Sequence, residues 1–347
     1  ILVFRFSALG DIAMTIPVLR SFFNTYPNQK ITFVSRGFVE PLFKEFDNLE
    51  FVSVDFNNDY KGLKGLFKLF KLLRKKNIKA VADLHNVLRT KILKIFFKLV
   101  FIKVQSIDKG RADRKKLTQK NNKKFKPLTP IHYRYCDVFG RLGFPIDLTN
   151  HEYPIKPFLP ENSEEQKILS KSEDKKIIGI APFASFTGKN YPLDLMQNVI
   201  AYLQKDHIIY LFGGGENELK QIKVWENAYD NVTDIASSFN LTEQINIISY
   251  IDLMISMDSA NGHIAANYGV PVLTIWGMTH PFCGFTPFDQ GIENSIMIDR
   301  NLYPQIPTSV FGNKIPKGYE SAFRSVEPKE VIEKALEILN LAKPRHN

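Results

Sequence analysis

Carboxylates, hydroxyls and cations gather in this chain where apolar runs give way to small residues. At the start, Ile1-Leu-Val-Phe-Arg-Phe6 reads as a buried strand and runs into Ser7-Ala-Leu-Gly10-Asp11-Ile12. A strand, a small-residue turn with one carboxylate and a helix from near Ala13 put Asp11 at the carboxyl end of a parallel sheet, where open α/β folds hold their ligands. Two readings stand together there. Asp11 is a helix N-cap, since Asp is favoured at that position and Gly10 suits the turn, or it is an acid–base group.

Four more constellations lie in the second half. Ala181-Pro-Phe-Ala-Ser185-Phe-Thr187-Gly188-Lys189-Asn-Tyr-Pro192 follows an apolar strand and precedes a helix. Hydroxyls, a glycine and a lysine in such a loop make a phosphate cradle, because free backbone N–H groups and the helix dipole both favour anions. The glycine spacing of a nucleoside-triphosphate P-loop is missing. In Leu211-Phe-Gly213-Gly-Gly215-Glu216-Asn217-Glu218 the final glycine of a dinucleotide fingerprint is replaced by Glu218. We read the glycines there as room for a ligand and Glu216 as an acceptor for ribose hydroxyls. Ser256-Met-Asp258-Ser259-Ala-Asn261-Gly262-His263 packs donors, acceptors and open amides into one strand-to-helix turn, as a ligand site or as a self-satisfied cap. Trp276-Gly-Met-Thr279-His280-Pro281 offers an aromatic and a hydroxyl to close over a base or phosphate, with His280 also readable as a plain loop residue. No Asp-x-Asp and no His-x-x-x-His occurs, so the usual carboxylate cage for a divalent ion is lacking. Leaving-group charge then falls to Lys189, hydroxyls and a helix N-terminus.

The elements that must hold these residues alternate between strand and helix throughout, which predicts parallel sheets. Strand candidates are 1–6, 31–35, 51–54 and 79–84, then 177–182, 208–213, 251–256 and 270–276. Between the sets, His151-Glu-Tyr-Pro154-Ile-Lys-Pro157-Phe-Leu-Pro160 carries three prolines in seven residues and resists both helix and sheet, marking a domain junction. The prediction is two doubly wound α/β domains facing a cleft. The 347 residues and 44% hydrophobic content suit two such domains. Two cysteines, Cys136 and Cys283, make a disulfide framework implausible and fit a reducing, cytoplasmic setting. No run of 18 apolar residues spans a membrane and no signal peptide is visible. The chain opens in strand-like residues without Met, from which a few preceding residues are expected.

The net charge of +10 conceals an asymmetry. Residues 61–126 hold 22 Lys and Arg against three acids, a net of +19, and the rest carries −9. In 61–76, Lys61, Lys64, Lys68, Lys71 and Lys75 fall within about a quarter of a helical circumference, opposite Leu63, Leu66, Phe67, Phe70 and Leu73. A second helix from Leu88 to Lys103 sets Lys91, Lys94 and Lys98 against bulky Ile, Leu and Phe. These are sheet-packing helices with solvated lysines, or surfaces drawn to an anionic membrane. Nucleic acid fits less well, since the aromatics sit at core-like spacing and no recognition motif is present.

Together these residues resemble the ADP-heptose:lipopolysaccharide heptosyltransferases, glycosyltransferase family 9, over nearly the whole chain. Gly10-Asp11-Ile12 with Thr15, Pro17, Leu19 and Arg20 is similar to that family's opening signature, and Asp83-Leu84 with Arg89-Thr90 to its second motif. Lys189-Asn-Tyr-Pro192 resembles its Lys-x-Trp-Pro. Asp258-Ser259-x-x-Gly262-His263, then Ala265-Ala266, Gly269-Val-Pro271 and Trp276-Gly277-x-Thr279-x-Pro281, resembles its donor signature. Ala260 stands where that signature has glycine, and Tyr191 where Trp is common. The resemblance implies a GT-B fold: an acceptor domain 1–155, a nucleotide-sugar domain 156–326, and a final segment 327–347 whose helix packs back on the first domain. It implies inverting transfer without metal or cofactor, from an ADP-sugar, with Asp11 as general base. Ser185, Thr187, Lys189, Glu216, Asp258, Ser259, Gly262 and His263 would hold the donor. Arg89, with His85 and Asn86, would meet an acidic acceptor glycolipid, at the cytoplasmic face of the inner membrane and with no nucleic acid involved. Another nucleotide sugar serving polysaccharide synthesis, or a noncatalytic anionic-glycolipid binder, remain the alternatives.

Overall fold

A computed structural model describes residues 1–171 and 175–341, in two compact units. The first comprises Ile1–Lys109 and Thr129–Glu152, the second Gly110–Leu128 and the chain from Tyr153 onward. In chain order the elements are β1 (Leu2–Phe4), α1 (Leu9–Ala13), α2 (Ile16–Thr25), β2 (Ile31–Ser35), β3 (Leu49–Ser53), α3 (Gly62–Arg74), β4 (Ala80–Asp83), α4 (Leu88–Leu99), β5 (Lys103–Ser106), α5 (Arg111–Thr118), α6 (Ile131–Leu142), α7 (Glu164–Ser170), β6 (Ile177–Ala181), α8 (Leu193–Leu203), β7 (Ile208–Leu211), α9 (Glu216–Ala228), β8 (Val232–Asp234), α10 (Ile235–Ser238), α11 (Leu241–Tyr250), β9 (Leu253–Met257), α12 (Ala260–Ala266), β10 (Val272–Trp276), β11 (Ser295–Met297) and α13 (Pro328–Leu341).

The first unit's strands, in order β3-β2-β1-β4-β5, pair in parallel throughout. The second unit's order is β11-β10-β9-β6-β7-β8, also all parallel. Both are Rossmann-like. The central strands are apolar on both faces because helices cover both, and β1, β2, β4, β6, β9 and β10 are buried end to end. In each unit the chain starts in the middle of the sheet and reverses its direction of travel once, between β1 and β4 and between β6 and β9. Those reversals are the topological switch points, where side chains from two loops converge.

Two segments fall elsewhere than the sequence boundaries 1–155 and 327–347 suggest. Residues 110–128 belong to the second unit, since Leu117, Phe125 and Leu128 find their apolar partners in Cys283, Val310, Phe282 and Phe285. The basic tract 61–126 is therefore divided between the units. Helix α13 sets Val331, Ala335 and Ile338 into the second unit's own core, because its apolar stripe matches the faces of α8, β9 and β10. Residues 342–347 of that segment lie outside the described ones. The segment 151–160 is irregular, as its prolines require.

Candidate active site

In the first unit, register builds the site. Phe4 pairs with Asp83 across β1 and β4, so Arg5 and Leu84, the next residues of each strand, emerge side by side. Arg5 is buried, and its Nη1 donates to the Leu84 carbonyl at 2.9 Å. Its Nη2 forms an ion pair with Asp11 Oδ2. Helix α1 starts earlier than the sequence suggested, at Leu9, and Ala8 rather than Asp11 is its N-cap. Asp11 sits in the first turn, and the Ala8 N–H donates back to its Oδ2 at 3.4 Å. The Tyr135 hydroxyl donates to the Asp11 carbonyl at 3.2 Å, tying its backbone to α6. Capping and a fixed, half-buried carboxylate thus coincide in one residue.

Across the switch point, Asp83 is fully buried and organises the turn after β4. Its Oδ1 accepts the N–H groups of His85 (3.1 Å) and Asn86 (2.7 Å), and its Oδ2 lies 3.0 Å from Lys94 Nζ. Lys94 also donates to Ser106 Oγ at 2.6 Å. Of the three acceptor candidates, Asn86 is committed to this scaffold: φ is +48°, and Nδ2 donates to the Ile107 carbonyl at 3.0 Å. His85 Nδ1 accepts the Phe6 N–H at 3.3 Å, and its ring meets Phe6 edge-on. Burial, then the Arg5 charge, pushes His85 down to about 3, so the ring is neutral. Arg89 is exposed, its guanidinium 5.0 Å from the centre of the Phe56 ring.

In the second unit, Ala181 pairs with Ser256, and the loops leaving β6 and β9 therefore start adjacent. They bring together two residues that the sequence assigned to different parts of a ligand. Lys189 Nζ lies 2.7 Å from Asp258 Oδ2 and donates to the Asp258 carbonyl at 3.1 Å. Both side chains are largely buried. Glycines permit this approach: a Cβ on Gly188 would stand 2.4 Å from the Gly312 carbonyl oxygen, and one on Gly277 would stand 2.3 Å from that of Gly188. Asn190 Oδ1 accepts the Ala184 N–H at 2.6 Å and shapes the loop, on which Ser185 and Thr187 are exposed. Ser259 Oγ is 3.1 Å from Ser256 Oγ, while Gly262 and His263 are buried in α12. Thr279 Oγ1, in the turn after β10, is buried with no hydrogen-bond partner among the described residues.

Three candidates read differently in three dimensions. Glu216 is exposed and pairs with Lys220 one turn along α9; it is Glu218 that turns back to accept the Gly214 N–H at 2.8 Å. Tyr191 faces the core, where its hydroxyl donates to the Val326 carbonyl at 2.7 Å. His280 Nδ1 accepts the Phe282 N–H at 3.0 Å and its ring packs on Phe125. Sequence reasoning missed Arg5, Tyr135 and the Asp83–Lys94 pair. The visible signal for Arg5 was a cation inside an otherwise apolar strand. Among the described residues no three His, Cys, Asp or Glu side chains form a metal-binding group.

Two Rossmann-like units, each with polar side chains converging at its switch point, define the class: a GT-B-type α/β protein. The family model for glycosyltransferase family 9 (heptosyltransferase) matches residues 66–315, and the chain belongs to that family and is a glycosyltransferase. It is similar to the lipopolysaccharide core heptosyltransferase OpsX of Haemophilus influenzae, 24% identical over 285 residues, covering 80% of this chain and 79% of that protein. Among solved structures it resembles a family 9 glycosyltransferase from Veillonella parvula, with TM-score 0.75 and 18% identity over 98% and 97% of the two chains. It also resembles the ADP-heptose lps heptosyltransferase II of E. coli, with TM-score 0.66 and 17% identity over 98% of each chain.

Proposed function

We propose that this chain transfers a heptose, or a related sugar, from an ADP-sugar to a lipopolysaccharide-core or similar glycolipid acceptor, with inversion and without a metal ion. The observation that carries the mechanism is the Asp11 carboxylate, fixed by Arg5 and the Ala8 N–H at the first switch point. A base must be held still to share a proton with a hydroxyl in the transition state. Asp11 takes the proton from the acceptor oxygen as that oxygen attacks the anomeric carbon, on the face opposite the departing nucleoside diphosphate. Arg89 and His85 bind the acidic acceptor. Asn86 serves that site from behind, by shaping the turn.

In the second unit Lys189, Ser185 and Thr187, with the backbone at Gly262 and His263, hold the diphosphate, and Lys189 neutralises the charge that grows on it. Asp258, Ser259 and Glu216 are the candidates for ribose or sugar hydroxyls. The names of the relatives support heptose, ADP and a lipopolysaccharide core as the chemistry. The lysine-rich helices support a peripheral position on an anionic membrane surface, which for this acceptor is the cytoplasmic face of the inner membrane. Among the described residues no helix is long and apolar enough to cross a membrane.

One titration tests both halves. Wild type and Asp11→Asn are melted against ADP, UDP and GDP with their sugars, and transfer is then measured. ADP ligands are expected to stabilise both proteins alike, while Asp11→Asn loses transfer by about a hundredfold or more. UDP or GDP selectivity would overturn the donor, and retention of more than a few per cent of activity would remove Asp11 from the base role.

A further inference from the structure

Helix α4 is apolar on two opposite sides. At 100° per residue, buried Leu93 and Phe97 point to the sheet, and Leu88, Ile95 and Leu99 form a stripe directly opposite. That stripe is open: Leu88 is 74% exposed and Leu99 71%. A helix that merely covers a sheet has a polar outer face, so burial within the unit does not explain these residues. Just past the helix, Phe101 is 98% exposed at φ +60°, a backbone position that usually falls to Gly or Asn.

The stripe continues onto α3. Phe96 meets Phe67 edge-on at 5.6 Å between ring centres, and Phe67 and Leu63 are themselves exposed. Cations flank this apolar band on both sides. Lys64, Lys68 and Lys71 on α3 and Lys75 just after it are exposed, as are Lys91 and Lys98 on α4. Neither helix contains an Asp or Glu.

We propose that the α3–α4 face of the first unit is a membrane-docking surface, its lysines meeting anionic headgroups while Leu88, Ile95, Leu99 and Phe101 enter the acyl boundary. The proposal deepens the membrane reading of the preceding section and rests on it. Charge decides the occupant. A second copy of this face would set lysine against lysine, and a polyanion without hydrocarbon would leave the aliphatic stripe in water. An anionic bilayer satisfies both at once, as it does for interfacial helices in general.

Flotation with phosphatidylcholine vesicles, with and without phosphatidylglycerol, tests it on the full chain. Wild type is expected to float with the anionic vesicles. Ile95→Ser/Leu99→Ser/Phe101→Ser, all surface changes, should melt as wild type and partition about tenfold less, with the remaining binding released by salt. Lys68→Gln/Lys71→Gln/Lys98→Gln should lose the preference for anionic lipid. Equal partitioning of the serine variant and wild type overturns the proposal, as does a wild type that ignores vesicles or their charge. A concentration-dependent dimer abolished by the serine changes would assign the face to a second copy instead. Transfer to a short, lipid-free acceptor is measured alongside. If wild type binds vesicles but transfers nothing, the surface stands and the enzymatic reading fails; active protein that ignores vesicles gives the reverse.

Discussion

A guanidinium buried beyond the end of β1 has two neighbours to satisfy, the Leu84 carbonyl and the Asp11 carboxylate. Losing it removes the partner of a half-buried charge and unties β1 from the turn after β4, so both the direction and the rigidity of the carboxylate depend on it. With Asp11 as the proposed base, Arg5 is a positioning residue, since its contacts are with the Asp11 carboxylate and the Leu84 carbonyl. Arg5→Met is expected to lower kcat by about ten- to a hundredfold with donor KM nearly unchanged, and Arg5→Lys, which keeps the charge but spans only one contact, to recover part of the loss. Steady-state kinetics on variants shown by melting to be folded check this, and a parallel fall in donor affinity would mean that Arg5 merely supports the fold. Asp11 was legible as a charged residue in a small-residue turn, with capping and catalysis undecided. The structure places it at the third position of α1, where its carboxylate accepts the Ala8 N–H rather than standing as the N-cap itself.

At the scale of elements, loops leaving β6 and β9 depend on one ion pair. Lys189 and Asp258 are 69 residues apart and no local pattern joins them; the parallel pairing of Ala181 with Ser256 does. Lys189→Ala should therefore act twice, weakening donor binding and leaving Asp258 buried without its cation, at a cost of about 3 kcal/mol in stability. Adding Asp258→Asn should restore most of the stability and none of the donor affinity. Denaturant melts and ADP titrations of the single and double variants separate these effects, and additive stability losses would show that the pair is not coupled. The central strands were legible because burial on both faces demands continuous apolar runs. The edge strands β5, β8 and β11 were not: they are short, and Lys-Val-Gln-Ser at β5 carries no such run. The placement of 110–128 was hidden for another reason, since Leu117, Phe125 and Leu128 are scattered among lysines and reveal their partner only in three dimensions.

For the whole molecule, acid acts on the packing through one histidine in each unit, buried His280 and half-buried His85, each set among cations. His280 is 5% exposed in the second unit, and burial, with Arg300 and Lys123 nearby, pushes it down to about 4 from 6.5. Its Nδ1 must stay unprotonated to accept the Phe282 N–H. The unfolded chain binds this proton below about pH 6.5 and the folded chain resists it to about pH 4, so the unfolded state holds more protons in between. Stability from this group is thus complete above the unfolded value and is lost as pH falls through that window, by about 2 kcal/mol at about pH 5. His85 gives the first unit the same sign, with burial as the leading cause. Melting the protein at steps between about pH 7 and pH 5 should show a falling midpoint. His280→Asn keeps a carbonyl acceptor for the Phe282 N–H but cannot titrate, so the slope of the second unit's transition should flatten even if the variant is less stable throughout. An unchanged slope would show that His280 does not set the acid sensitivity of the second unit.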